Sequence, residues 1–225
     1  VGQAQVRKYF KNTDGSYSKN FVVFAKGLRN SMGLIWNKNI QTLIQAENSR
    51  DNIAEYNTKM PNIDLPHEEF NILQEGQSYG WPYCYDNNQN NPEWSNFNCA
   101  SQTPPHLLMP AHSSPLSLMI YQGDMFPSWY KNRMLISLHG YEPRGHRIVA
   151  YLRDDKGLPV KDPLSIVYGW DANGNQAKGS PVGLSEMSDG SVLIVEDKSR
   201  KVLRLFYDAK LGDGKPVNEI PAVVK

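Results

Sequence analysis

The 225 residues suffice for one domain or two small ones with a real buried core, which excludes a miniature held by disulfides alone. With 24 Lys+Arg against 23 Asp+Glu the net charge is +1, so no strong field draws the chain to nucleic acid or anionic lipid. No apolar run approaches the roughly 20 residues of a spanning helix, so no membrane span is expected. The first residues, Val1-Gly2-Gln3-Ala4, show neither an initiator Met nor a leader's basic and apolar regions. A secretory leader is therefore expected to have been removed or never included.

Apolar residues recur with period two, and period 3.6 is not sustained, which is the signature of strands rather than helices. Strands are expected at 5–10, 21–26, 32–36, 42–47, 69–74, 116–121, 133–138, 146–153, 165–169, 181–187, 191–196 and 201–207. Turn signals separate them, among them Asp14-Gly15, Asn37-Lys38-Asn39 and Asp189-Gly190. The spacing predicts antiparallel meanders in a single domain. Three weakly similar units are expected at 21–82, 110–154 and 165–208, with 5–10 a strand of a preceding unit. The fold class is all-β, and periodicity alone leaves a β-propeller and a β-sandwich equally open. Long insertions at 54–66 and after Cys84 are candidates for functional loops. The tail 210–225 reads as a peripheral strand or a frayed end.

The two cysteines, Cys84 and Cys99, flank an Asn-rich stretch that cannot build a core of its own. A disulfide across it is expected, and if bridged it implies an oxidising compartment, periplasmic or secreted; two unpaired thiols in a cytosolic protein are the other reading.

Several motifs in order carry a family resemblance: Gly27-Leu28-Arg29-Asn30-Ser31-Met32-Gly33-Leu34, Ala46-Glu47-Asn48-Ser49-Arg50-Asp51-Asn52, Pro66-His67-Glu68-Glu69-Phe70-Asn71 and Tyr79-Gly80-Trp81-Pro82-Tyr83-Cys84-Tyr85. Met109-Pro110-Ala111-His112-Ser113-Ser114-Pro115-Leu116, Leu138-His139-Gly140 and Ser180-Pro181-Val182-Gly183-Leu184 continue it. Together they resemble the glucose/sorbosone dehydrogenases, soluble quinoproteins that use pyrroloquinoline quinone (PQQ). The resemblance implies a six-bladed β-propeller, of which about three blades lie in this chain, with PQQ and calcium at the mouth of the central channel. It implies an oxidoreductase that oxidises an aldose or related sugar and passes electrons to an external acceptor.

By that resemblance Arg29 and Asn30 contact the cofactor. A guanidinium offers paired donors to the carboxylates of PQQ, although the same residue also suits an ion pair in a structural turn. Asn48, Ser49, Arg50 and Asp51 fall on the loop that holds calcium, a hard cation suited to oxygen donors, with Ser49 and Arg50 at the metal-binding carbonyls. An ion-free Asn-Ser-Arg-Asp turn is the other reading. His112, His139 and Arg144 align with polar contacts across the cofactor. Three departures stand out. Met32 replaces a Gln contact, Ser49-Arg50 replaces Gly-Pro, and a basic pair near Ser180 is missing. No residue matches the family's general base, so the chain corresponds to a C-terminal half, completed by further chain or by a second copy. Tyr79-Gly80-Trp81-Pro82 reads as structural, and Glu68 and Glu69 as adjacent carboxylates of which one is placed to ligate a structural ion while the other meets solvent, solvation being the default for either alone. A non-catalytic propeller binding module and a sugar-lactonase-like, metal-dependent hydrolase are the alternatives to the dehydrogenase.

Overall fold

The computed structural model describes residues 4–140, 144–160, 163–170 and 178–214. Among them there is no α-helix, and four short 3-10 segments join the strands. In chain order these are β1 (Gln5–Lys11), β2 (Tyr17–Lys26), β3 (Asn30–Asn37), β4 (Thr42–Asn48), β5 (Glu68–Ile72), β6 (Gln77–Ser78), β7 (Cys84–Tyr85) and β8 (Gln89–Asn90). They continue as β9 (Leu107–Met109), β10 (Pro115–Ile120), β11 (Met134–Leu138), β12 (Arg147–Tyr151), β13 (Leu164–Val167), β14 (Pro181–Glu186), β15 (Val192–Glu196) and β16 (Lys201–Leu205). Every strand expected from alternation is present within a few residues. The short strands β6, β7, β8 and β9 were not expected, because two or three residues are too few to show a period.

Four successive sheets form, in the orders β1-β2-β6, β3-β4-β5-β9, β10-β11-β12-β13 and β14-β15-β16, with a small β7-β8 ribbon beside them. This corrects the expected grouping. The strand at 21–26 pairs with β1 instead of opening the unit at 21–82, and the strand at 165–169 completes the second unit instead of opening the third. Alternation shows which face of a strand is apolar but not which neighbour it pairs with. All pairings are antiparallel except β2 with β6, which run parallel through Ala25↔Gln77 and Lys26↔Ser78.

The sheets pack on one another in chain order. Ala25, Leu28, Leu73 and Tyr79 fill the first interface. Ile44, Ala46 and Phe70 meet Leu118, Ile136, Val149 and Tyr151 in the second. Met119, Leu135, Ile148 and Ala150 meet Val192 and Ile194 in the third. Residues that alternate along β10 to β12 thus serve two different interfaces, which is why β11 and β12 are buried throughout. The tail beyond residue 214 lies outside the described residues.

The insertion between β5 and β9 is held as expected by a bond from Cys84 to Cys99. Its asparagines replace a core with amide-to-backbone bonds. Asn91, fully buried, donates to Pro82 O at 2.7 Å, and Asn88 donates to Gln102 O at 2.8 Å. Gly80 stands at φ +96°, where a Cβ would meet the Cys84 Cβ at 2.7 Å, so only glycine allows this approach.

Candidate functional site

Strands β3 and β10 begin, and β4 and β11 end, at the same side of the sheets, so the loops there converge. They enclose a cavity of about 650 Å3, within the range of small-ligand sites. Arg29, Asn30, Asn48, Ser49, Asp51, His112 and His139, all singled out from the sequence, line it. Two of the expected residues do not. Arg144 turns to a neighbouring cleft and donates to Ile63 O at 2.9 Å and Asp64 Oδ1 at 2.6 Å. Arg50 points away, pairing with Glu93 at 2.7 Å, so the residue itself offers the cavity no side-chain contact.

Arg29 organises the rim. One guanidinium nitrogen donates to the carbonyls of Asn48 (3.0 Å) and Ser49, the other approaches Asp51 at 3.5 Å, and the group lies 5.5 Å from the Trp81 ring centroid. Its backbone N–H donates to Glu47 Oε1 at 2.8 Å. Of the two carbonyls that the resemblance gives to calcium, that of Ser49 therefore already faces a guanidinium. His112, at φ +57°, directs Nε2 to Asn62 O (2.6 Å) and Leu65 O (3.2 Å), which fixes a proton on that nitrogen. His139 Nε2 lies 3.0 Å from Asp197 Oδ2.

The floor is Glu68. Its carboxylate accepts the Ser49 N–H at 2.5 Å and the Ser114 N–H at 2.9 Å, tying two loops of the cavity together. Burial pushes its pKa up to about 7, against the lowering effect of those two bonds. Neither Glu68 nor Glu69 meets solvent: they are 3% and 6% exposed, because β5 lies inside the sheet between β4 and β9 and is covered on both faces. The Glu-Glu pair and the insertion at 54–66 were visible in the sequence, but only pairing shows that Glu68, Asn62 and Ile63 reach the cavity. Met32 is exposed and lies away from it.

The donor set suits an anionic, carbonyl-rich ligand on the Arg29, Asn30 and histidine side. Asn48 Oδ1 is buried without a hydrogen-bond partner in the lining of this cavity. That unsatisfied acceptor is what a bound donor or cation would relieve. Among the described residues no group of three or more His, Cys, Asp or Glu side chains is arranged to hold a metal, so a cation here would rely on carbonyl and amide oxygens.

A Borreliella burgdorferi protein described only as uncharacterized is 27% identical over 200 residues, covering 85% of this chain and 50% of that protein. The iodide structure of the Trichoderma reesei Carbohydrate-Active Enzymes Family AA12 is similar with a TM-score of 0.68 at 22% identity, over 81% of this chain and 53% of that one. The soluble aldose sugar dehydrogenase of Escherichia coli, in its apo-form, gives 0.57 at 16% identity, over 81% and 46%. These likenesses show a shared fold, and the chain spans about half the length of the proteins it matches. The TrAA12-like family model matches residues 1–205, nearly the whole chain, and the protein belongs to that family.

Proposed function

We propose that the chain is part of a PQQ-dependent oxidoreductase that acts on an aldose or related sugar, its four sheets being successive blades of a six-bladed propeller. The observation that carries this reading is the convergence of Arg29, Asn30, Asn48, Asp51, His112 and His139 on one cavity, in a chain whose fold matches about half of the soluble aldose sugar dehydrogenase. When bound, the quinone supplies the two-electron oxidant. Arg29, Asn30 and the two histidines would hold its carboxylates and carbonyls by charged and neutral hydrogen bonds. Glu68 keeps the Ser49 and Ser114 loops in register beneath it. Calcium, if it accompanied the cofactor, would be held by carbonyls of the loop at 48–51, Ser49 and Arg50 among them, with the unpartnered Asn48 amide oxygen as a further donor, and the Arg29 bonds to Asn48 O and Ser49 O would compete with it.

By the resemblance, the residue that takes the sugar's proton lies upstream of the Arg29-Asn30 motif, and we assign it to chain outside these 225 residues or to a second copy. Exposed apolar residues on the outermost sheets, Phe21, Val22 and Val23 in the first and Val195 and Val202 in the last, support such a completion. The disulfide supports a periplasmic or secreted location.

A non-catalytic binding module is the second reading, favoured because Arg29, Arg144, His112 and His139 already have partners within the protein. The test is titration of the complete protein with PQQ, with and without calcium, followed by dye reduction with aldoses. Saturable PQQ binding with sugar-dependent reduction is expected. Binding without reduction favours the module, and no PQQ binding overturns both the cofactor and the dehydrogenase.

A further inference from the structure

A larger cleft, of about 980 Å3, opens at the other end of the same strands. It begins at Trp36 on β3, about 20 Å along the strand from Asn30 at the rise of a strand residue, and runs between the second and third sheets. It therefore shares no residue with the Arg29 cavity.

Its lining combines two indoles with cations. Trp36 is 46% exposed, and Trp129 carries the Arg133 guanidinium 4.1 Å from its ring centroid. Arg133 donates Nε to Trp129 O, and neither it nor Lys38 has an ion-pair partner among the described residues. The carboxylate in the lining is Asp154, which accepts the backbone N–H groups of Lys156 and Leu158 and faces Arg153. In a chain of net charge +1 this is a local excess of positive charge. Amides at Asn39, Gln122 and Asn132 add both donors and acceptors.

An exposed indole stacks well on the C–H face of a sugar ring, amides match hydroxyls that donate and accept, and unpaired cations match carboxylates. A bare phosphate would use the cations and leave the indole and amide acceptors idle. We propose that the cleft is a second carbohydrate site that takes a short uronate-bearing oligosaccharide, its ring on Trp36 and its carboxylates on Arg133 and Lys38.

The test is a titration of the complete protein with trigalacturonate, followed by indole fluorescence, beside maltotriose and inorganic sulfate. Saturable binding of trigalacturonate is expected, weakened at least tenfold between low and high salt, and weakened at least tenfold by Trp36→Ala and by Arg133→Gln, while Arg133→Lys keeps most of it. Lys38→Gln, at an exposed turn, gives a charge variant that leaves the core packing untouched. Equal binding of maltotriose, full displacement by sulfate at matched concentration, insensitivity to all these substitutions, or no binding each overturns the proposal.

Discussion

Glu47 and Glu69 face each other directly across β4 and β5, both buried. Gln45 donates to Glu47 at 2.9 Å and Asn71 donates to both Gln45 and Glu69, so the two acids share one amide network with no lysine or arginine side chain bonded into it. Burial pushes Glu47 from 4.5 up to about 7. Burial, and then the Glu47 charge opposite, push Glu69 well above the usual carboxylate range.

Because the folded state raises both values, it holds protons that the unfolded chain releases above about pH 4.5. The stabilisation is complete below that pH and is lost as pH rises through 7, by on the order of 3 kcal/mol for Glu47. Thermal unfolding at intermediate salt is expected to show Tm falling between pH 5 and pH 8, and Glu47→Gln is expected to flatten the slope. An unchanged slope would show that Glu47 ionises freely in the fold.

Arg29→Ala removes a guanidinium that bonds two carbonyls and approaches Asp51. Hydrogen exchange at 49–52 is expected to quicken while the β4 and β5 amides stay protected. PQQ affinity, on the reading above, is expected to fall about 10- to 150-fold, from about 1.5–3 kcal/mol for a charged hydrogen bond. Arg29→Lys is expected to recover only part of either effect, since an ammonium lacks the planar fork. Global unfolding by Arg29→Ala would make it a structural residue first.

Cys84 and Cys99 are separated by 15 residues, and chain entropy assigns closure of such a loop about 3 kcal/mol. The double substitution Cys84→Ser with Cys99→Ser is expected to lower unfolding free energy by that order in urea. The native protein unfolded without reductant is expected to titrate no free thiol.

Tyr79 offers a test independent of the cavity. Its hydroxyl donates to Ile72 O at 2.5 Å and accepts the Gln74 N–H at 2.9 Å, bonds that its ring carries into the first interface. Tyr79→Phe leaves both groups without that partner and is expected to cost about 1–3 kcal/mol in urea unfolding. A neutral result would mean that water replaces the hydroxyl.

The longer strands were legible in the sequence because each presents several alternating residues, as 5–10 and 181–187 do. Which strands share a sheet was not, since β9 has three residues and reaches β5 across the whole disulfide-bonded insertion. At the cavity, the residues marked by motifs at 29–30, 48–51, 112 and 139 lie together. Arg50 and Arg144 do not join them, because each finds a carboxylate elsewhere, in Glu93 and Asp64, that no local pattern links to it. Glu68 was read as one of a half-solvated pair because period two puts one of two adjacent residues outside. That rule lapses in a strand enclosed on both faces.

The parallel pairing of β6 with β2 gives the first sheet a strand that the chain supplies only after it has built β3, β4 and β5. Tyr79 N and Trp81 N extend the exchange by bonding to Lys26 O and Gly27 O. Two neighbouring sheets are thereby laced together by one continuous backbone, and neither can come apart alone. Strands β14, β15 and β16 lend no described strand to another sheet, and side-chain packing and side-chain-to-backbone bonds such as Ser137 to Val182 O hold them to the rest.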